Sequence, residues 1–65
     1  REMGENFTVF MKKFRISNAR LLLKGTDKKI YEIAQDVGYA DPKYFNRVFK
    51  EVEGVSPGDY RSLHR

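Results

Sequence analysis

The sequence predicts an all-α fold, and three observations lead to that class. Glycine and proline divide the 65 residues into short segments. Apolar residues recur within these segments at the three- and four-residue spacing of a helix, and no segment alternates as a half-buried strand does. A chain of this length forms at most one small domain, because it can bury only about 60% of its unfolded surface.

The first predicted helix runs from about Phe7 to Lys24, with Asn6 as its N-cap and Gly25 at its end. Its apolar residues form two lines on opposite sides of the helix. The first line is Val9, Ile16, Ala19 and Leu23, and the second is Phe10, Phe14 and Leu21. A helix that is apolar on two sides needs two packing partners, so we expect an absent neighbour to cover one side.

Three shorter helices are predicted to follow. The second spans about Ile30–Val37 and has apolar residues at helical spacing. The third spans 41–53, with an aspartate as N-cap and Pro42 in its first position. The fourth starts in the same way, with Ser56 before a proline. Tyr60 and Leu63 are expected on the inner side of the fourth helix.

The connection between the second and third helices has the features of a helix-turn-helix. Two helices that meet at a steep angle need a small residue at the crossing, and Ala34 provides one. The tight turn needs a residue that tolerates a positive φ, and Gly38 follows four residues later. The residues expected to fill the angle are Ile33, Val37, Tyr39, Phe45 and Val48.

The third helix has two faces at helical spacing. Its apolar residues Phe45, Val48, Phe49 and Val52 are predicted to be core. The opposite face consists of Lys43, Asn46, Arg47 and Lys50. Arginine and lysine can donate to guanine, and asparagine can bind adenine through two hydrogen bonds. This face is therefore either a solvated surface or a surface that reads bases in a major groove about 12 Å wide.

Positive charge favours a polyanionic partner. The net charge is +4, and residues 12–29 contain one acid among seven basic residues. Those seven are Lys12, Lys13, Arg15, Arg20, Lys24, Lys28 and Lys29. An alternative of a different class is a small helical protein-interaction module whose basic face meets an acidic partner. A membrane-surface helix fits less well, because basic residues lie among apolar ones on several sides.

Enzymatic and metal-dependent functions are not predicted. The sequence has no cysteine and one histidine, His64, and no group of residues has metal-ligand spacing. No nucleophile–base pair or phosphate-binding glycine loop is visible, so we expect neither an enzyme nor a cofactor. No apolar run is long enough to span a membrane, and the cytoplasm is the expected location.

Residues 30–60 resemble the second helix-turn-helix of the AraC/XylS family of transcription regulators. They read IYEIAQDVGYADPKYFNRVFKEVEGVSPGDY, with the family elements I-x-x-I-A-x-x-V-G-[YF] and YF-x-R-x-FK-x-x-x-G-x-[ST]-P-x-x-YR. Residues 14–23 resemble the family's linker helix. Lys29 departs from the pattern, since the family often has a capping serine there. The implied fold is a homeodomain-like subdomain of three to four helices joined to a long linker helix.

The resemblance implies three parts of the chain. Residues 1–5 would be the tail of a first, truncated helix-turn-helix unit, residues 6–25 the linker helix, and residues 26–65 the second unit with its closing helix. A weak internal repeat agrees with this division. A glycine is followed six residues later by an aromatic residue twice, from Gly4 to Phe10 and from Gly54 to Tyr60.

The resemblance also implies how each residue would meet double-stranded promoter DNA. Helix 41–53 would enter the major groove, and its base-facing positions match Pro42, Lys43, Asn46 and Arg47. Phosphates would pass Tyr44 and Lys50, and Lys28 and Lys29 can take backbone phosphates at the start of the second helix. RNA polymerase is a further candidate partner. We expect this chain to be monomeric unless the exposed face of its linker helix self-associates.

Some roles stay open at this point. Tyr44 can equally cover the edge of the core, and Lys50 can pair with Glu51 or Glu53 instead of a phosphate. Arg15 and Arg20 can be structural residues or phosphate contacts.

Overall fold

The computed structural model describes residues 7–64, which form four helices and no strand. They are α1 (Phe7–Gly25), α2 (Ile30–Asp36), α3 (Pro42–Glu53) and α4 (Pro57–Leu63). The predicted all-α class and the order of the helices are confirmed. The predicted N-cap Asn6 lies outside the described residues, as does the proposed tail at 1–5.

Both ends of α3 have the caps that its sequence predicts. The Asp41 side chain accepts a hydrogen bond from the backbone N–H of Lys43 at 3.0 Å, and Pro42 occupies the first turn. Gly54 ends the helix in the left-handed region at φ 87°, and its N–H donates to the Lys50 carbonyl at 2.8 Å. The sequence itself therefore fixes where α3 starts and stops.

The starts of α2 and α4 are capped to different degrees. Ser56 accepts from the backbone N–H of Asp59 at 3.2 Å, as expected for an N-cap serine. At α2, the Glu32 carboxylate accepts from the backbone N–H of Lys29 at 2.8 Å. The Lys29 side chain makes no capping hydrogen bond, because an ammonium group has no acceptor. Only half of a capping box is therefore present at α2.

The core lies where α1 crosses the other three helices. From α1 it takes Ile16, Ala19 and Leu23, all fully buried. The other buried apolar residues are Ile33, Ala34, Val37, Tyr39, Phe45, Val48, Phe49 and Tyr60. This set includes every residue predicted to fill the helix-turn-helix angle. Val52, also predicted as core, is partly buried against it.

One inward-facing prediction is wrong. Leu63 was expected beside Tyr60 on the inner side of α4, but its side chain is 70% exposed. It is the last helical residue of α4, so it extends past the surface that the other helices offer.

The second apolar side of α1 remains uncovered, as the two-sided pattern predicts for this chain. Its exposed fractions are 75% for Phe7, 55% for Phe10, 52% for Phe14 and 65% for Leu21. The rings of Phe10 and Phe14 stack with their centroids 6.3 Å apart. We call Phe7, Phe10 and Phe14 the aromatic row of α1.

Candidate nucleic-acid interface

The turn between α2 and α3 has the geometry that Ala34 and Gly38 predict. Ala34 is fully buried at the crossing, and its carbonyl accepts from the Tyr39 N–H at 2.8 Å. Gly38 has a φ of 104°, which side chains rarely tolerate. A Cβ there would also lie only 3.2 Å from Nε of Arg15. The turn therefore needs glycine for two reasons, the positive φ of its backbone and the closeness of the Arg15 side chain.

The polar face of α3 points to solvent. Lys43, Asn46, Arg47 and Lys50 are all exposed. Within residues 7–64, none of these four side chains has an ion pair or a side-chain hydrogen bond. The acids that could have neutralised Lys50 face other cations, because Glu51 lies 3.8 Å from Lys12 and Glu53 lies 3.2 Å from Arg20. We call Lys43, Asn46, Arg47 and Lys50 the polar face of α3.

The first turn of α3 adds Pro42 and Tyr44 to this region. Pro42 is half-buried, so only part of its ring is accessible for apolar contact. Tyr44 is 50% exposed, and its ring meets the edge of Tyr39 at a centroid distance of 5.8 Å. Tyr44 thus combines the two roles that the sequence left open: it covers the core edge and still offers a surface to solvent.

The two lysines before α2 differ in their surroundings. Both are exposed, but the Lys28 ammonium donates to the Asp36 carboxylate, and that hydrogen bond raises the pKa of Lys28. The Lys29 ammonium has no ion pair among the described residues. Lys28 would have to share its charge with Asp36 to contact a phosphate, whereas Lys29 would not.

Two arginines act within the fold. Arg20 donates to Glu53 and to the Ser17 hydroxyl, so it makes structural contacts in this chain. Arg61 donates through Nε to the Leu23 carbonyl and through a terminal nitrogen to the Thr26 carbonyl, both at 3.1 Å. A cation here suits the negative end of α1. No role for Arg61 was predicted, and its only signal in the sequence is the YR pair that closes the family pattern.

Beside the first turn of α3, an open groove of about 840 Å³ separates that turn from the start of α1. Its lining includes Phe7, Met11, Arg15, Tyr39 and Tyr44. Elsewhere in residues 7–64, no three His, Cys, Asp or Glu side chains lie close enough to hold a metal ion. No helix in that range is long and apolar enough to cross a membrane.

Comparison with known proteins decides the family. Residues 1–62 match the sequence profile of the family described as a helix-turn-helix domain. The chain superimposes with a TM-score of 0.91 on the C-terminal domain of AraT, a response regulator from Geobacillus stearothermophilus, at 42% identity. That match covers 95% of this chain and 51% of the other. The chain is a helix-turn-helix domain of the AraC type. The predicted resemblance is confirmed.

Further relatives of this AraC-type domain are named as regulators. YisR of Bacillus subtilis, an uncharacterized HTH-type transcriptional regulator, is 41% identical over 61 residues, which is 94% of this chain and 21% of that protein. RhaR of Yersinia pseudotuberculosis, an HTH-type transcriptional activator, is 33% identical over 60 residues, 92% of this chain and 21% of that protein. The chain thus spans about a fifth of the length of these relatives.

Proposed function

We propose that this domain binds specific sites in double-stranded DNA and so regulates transcription, with α3 inserted in the major groove. The observation that carries the proposal is the polar face of α3, where four exposed polar residues have no partner among the described residues. An α-helix fits a major groove about 12 Å wide, and helix-turn-helix proteins use their second helix in this way. The names of the relatives agree with this function.

Base selection would fall to the N-terminal part of that face. Arg47 can bind guanine O6 and N7 with its planar fork, and Asn46 can bind adenine N6 and N7. Lys43 can donate to a guanine acceptor, and Pro42 can contact a thymine methyl group. Lys43, Asn46 and Arg47 occupy two successive turns of one exposed helix face, and Pro42 lies half-buried at the start of the helix.

Phosphate contacts would fix the register of the domain on DNA. The candidates are Tyr44 and Lys50 at the margin of α3, and Lys28 and Lys29 before α2. Free ammonium groups favour Lys29 and Lys50 over Lys28, whose ammonium already donates to the Asp36 carboxylate. The protein would act in the cytoplasm, where bacterial DNA lies, and RNA polymerase is a further candidate partner.

The aromatic row of α1 supports a tandem architecture. In this proposal, residues 1–5 end a first helix-turn-helix unit, residues 6–25 link the units, and residues 26–65 form the second. The two units would enter successive major grooves about 34 Å apart. Docking of the first unit on the row predicts that Phe10→Ser destabilises the full-length protein much more than it destabilises residues 1–65 alone. Equal effects in both would remove this support.

Salt dependence and sequence preference together test the main proposal. Duplexes preferred by the full-length protein can be selected from a random pool, and the Kd measured on a selected and a scrambled duplex over a salt series. Neutralising several phosphates releases counterions, so affinity should fall steeply with salt on both duplexes. The selected duplex should bind about 10³-fold or more tightly than the scrambled one.

The rival module, which uses its basic face for an acidic protein, gives a different result. It would bind both duplexes equally, or neither, because a protein-binding face has no reason to distinguish base sequences. Equal binding at every salt concentration would therefore contradict sequence-specific recognition and favour the rival.

A further inference from the structure

Arg15 on α1 reaches across to the helix-turn-helix turn. Its guanidinium carbon lies 5.5 Å from the centroid of the Tyr39 ring, within the range of a cation–π interaction. Its Nε and Cζ would lie 3.2 and 3.3 Å from a Cβ at Gly38, so they sit directly against the turn backbone. The side chain thus contacts Gly38 and Tyr39, two residues of the connection between α2 and α3.

Tyr39 in turn contacts both α2 and α3. Its N–H donates to the Ala34 carbonyl on α2 at 2.8 Å, and its side chain is only 8% exposed. Its ring meets Tyr44 at 5.8 Å and Phe45 at 5.7 Å between centroids. The Tyr39 ring therefore contacts Arg15 of α1 as well as Tyr44 and Phe45 in the first turn of α3.

We infer that Arg15 is a positioning residue for base reading. From the linker helix, it holds Tyr39 and the turn in place, and so sets the angle at which the polar face of α3 meets the bases. The inference rests on the proposed function. It makes the linker helix part of the reading apparatus, although Arg15 itself does not touch DNA.

Two properties of the contact support positioning over phosphate binding. The guanidinium is half-buried and already lies against an aromatic ring and the turn backbone, so it has less freedom than the cations on α3. Burial is the main cause that raises the pKa of Tyr39, so the phenol is neutral at physiological pH.

A shift of α3 should weaken its contacts to bases and its contacts to phosphates unequally. Bidentate hydrogen bonds to bases need donor–acceptor distances of about 2.7–3.2 Å and good alignment. Long lysine side chains can still reach phosphates after a small rotation of α3, because phosphate contacts are less demanding in geometry. A turned α3 should therefore lose preference for its site before it loses general affinity for DNA.

The test compares Arg15→Met with wild type in the full-length protein. Methionine keeps much of the apolar stem but removes the cation and the flat guanidinium. We expect the ratio of Kd values on scrambled and selected duplexes to fall about three- to tenfold, as for one weakened base contact. The slope of log Kd against log salt should stay unchanged. Lys24→Met, which removes an exposed cation from the same helix, serves as a charge-matched control and should leave the ratio unchanged.

Tyr39→Phe sharpens the assignment, because it keeps the ring under Arg15 and removes only the hydroxyl. Tyr39→Phe should preserve the ratio of Kd values on scrambled and selected duplexes, whereas Tyr39→Leu should lower it. In the double variant, adding Arg15→Met to Tyr39→Leu should change the ratio little further. If Arg15→Met fails to fold, Arg15→Lys replaces it. Arg15→Lys should give a smaller fall, because lysine keeps a charge but cannot cover the turn as a planar group does.

Three results would overturn the inference. A salt slope reduced by about one with an unchanged ratio would make Arg15 a phosphate contact. An unchanged ratio and slope in the variant that folds would make it a purely structural residue. If the wild-type protein binds selected and scrambled duplexes equally, the proposed function itself is contradicted. That result is obtained before any variant is compared.

Discussion

Two helices of this domain, α1 and α3, each bury one side in the same core and leave the other side open. The open side of α3 is the polar face with Lys43, Asn46, Arg47 and Lys50. The open side of α1 is the aromatic row, whose members are each more than half exposed. The two surfaces differ in what can cover them.

Apolar surface is stabilised by removal from water, at about 25 cal/mol per Å². An exposed aromatic row therefore gains from contact with another protein surface. An exposed row of polar groups is satisfied by water and can exchange that water for bases and phosphates. Helix amphipathicity alone therefore does not identify a binding face. In the proposed function, the chemistry of the uncovered side directs α1 to a protein neighbour and α3 to DNA.

The largest expected effect comes from equal substitutions on the two helices. Phe49 on α3 is fully buried, and Phe10 on α1 is 55% exposed. In the 65-residue chain, Phe49→Ala should lower the free energy of unfolding by about 3–5 kcal/mol. That loss is a large fraction of the stability of a domain of this size. Phe10→Ala should change it by less than about 0.5 kcal/mol.

Urea unfolding followed by circular dichroism measures both variants of this pair. Similar losses for Phe49→Ala and Phe10→Ala would contradict the contrast, because they would mean that the aromatic row is buried within the chain itself.

A smaller effect is expected at the turn. Gly38→Ala should destabilise the chain by roughly 1–2 kcal/mol, because an alanine disfavours the positive φ, and crowding against Arg15 adds to that loss. Gly58 in α4 is the matched control, since it has no positive φ and no atom within 4 Å of a Cβ. Gly58→Ala should be neutral or stabilise by up to about 1 kcal/mol. Thermal unfolding of both variants decides the point, and equal shifts in Tm would contradict it.

Local features of this fold were predictable from the sequence, whereas contacts over long sequence distances were not. Asp41–Pro42 and Ser56–Pro57 mark helix starts through short-range capping, and Ala34 and Gly38 mark the crossing and the turn. Arg61 reaches the Leu23 carbonyl 38 residues away, and no local pattern signals that hydrogen bond. The exposure of Leu63 was missed for the same reason, since it depends on where the neighbouring helices end.

The candidate site shows the same division. The four residues of the polar face follow from helical spacing alone. The sequence could not distinguish the partners of the surrounding charges, which depend on tertiary placement. Glu51 and Glu53 turned out to face Lys12 and Arg20 of α1, and so left Lys50 without them.

The smallest effect is expected from high pH. Burial raises the pKa of Tyr39 above its ordinary value of 10.0, and hydrogen bonding to Asp36 raises the pKa of Lys28 above 10.5. In both cases the folded state holds the proton more tightly than the unfolded chain does. Their stabilisation is therefore complete below about pH 10 and is lost as the pH rises through the raised values. Urea unfolding at pH 8 and pH 11 should show the loss.

Tyr39→Phe is the control for this pH dependence, because it removes the titrating hydroxyl and keeps the ring. The variant should lose less stability between pH 8 and pH 11 than wild type does. An identical loss of stability in the variant and wild type would show that Tyr39 does not contribute to the pH dependence.

Binding of Arg47→Ala tests the central claim most directly, namely that the polar face of α3 reads bases. The Kd of wild-type and variant full-length protein would be measured on a selected duplex, on its single-base-pair variants and on a scrambled duplex. The account predicts a loss of roughly 1–3 kcal/mol on the selected duplex, a relaxed preference at one base pair, and a much smaller loss on the scrambled duplex. An equal loss on all duplexes would contradict it, because Arg47 would then contact only phosphates.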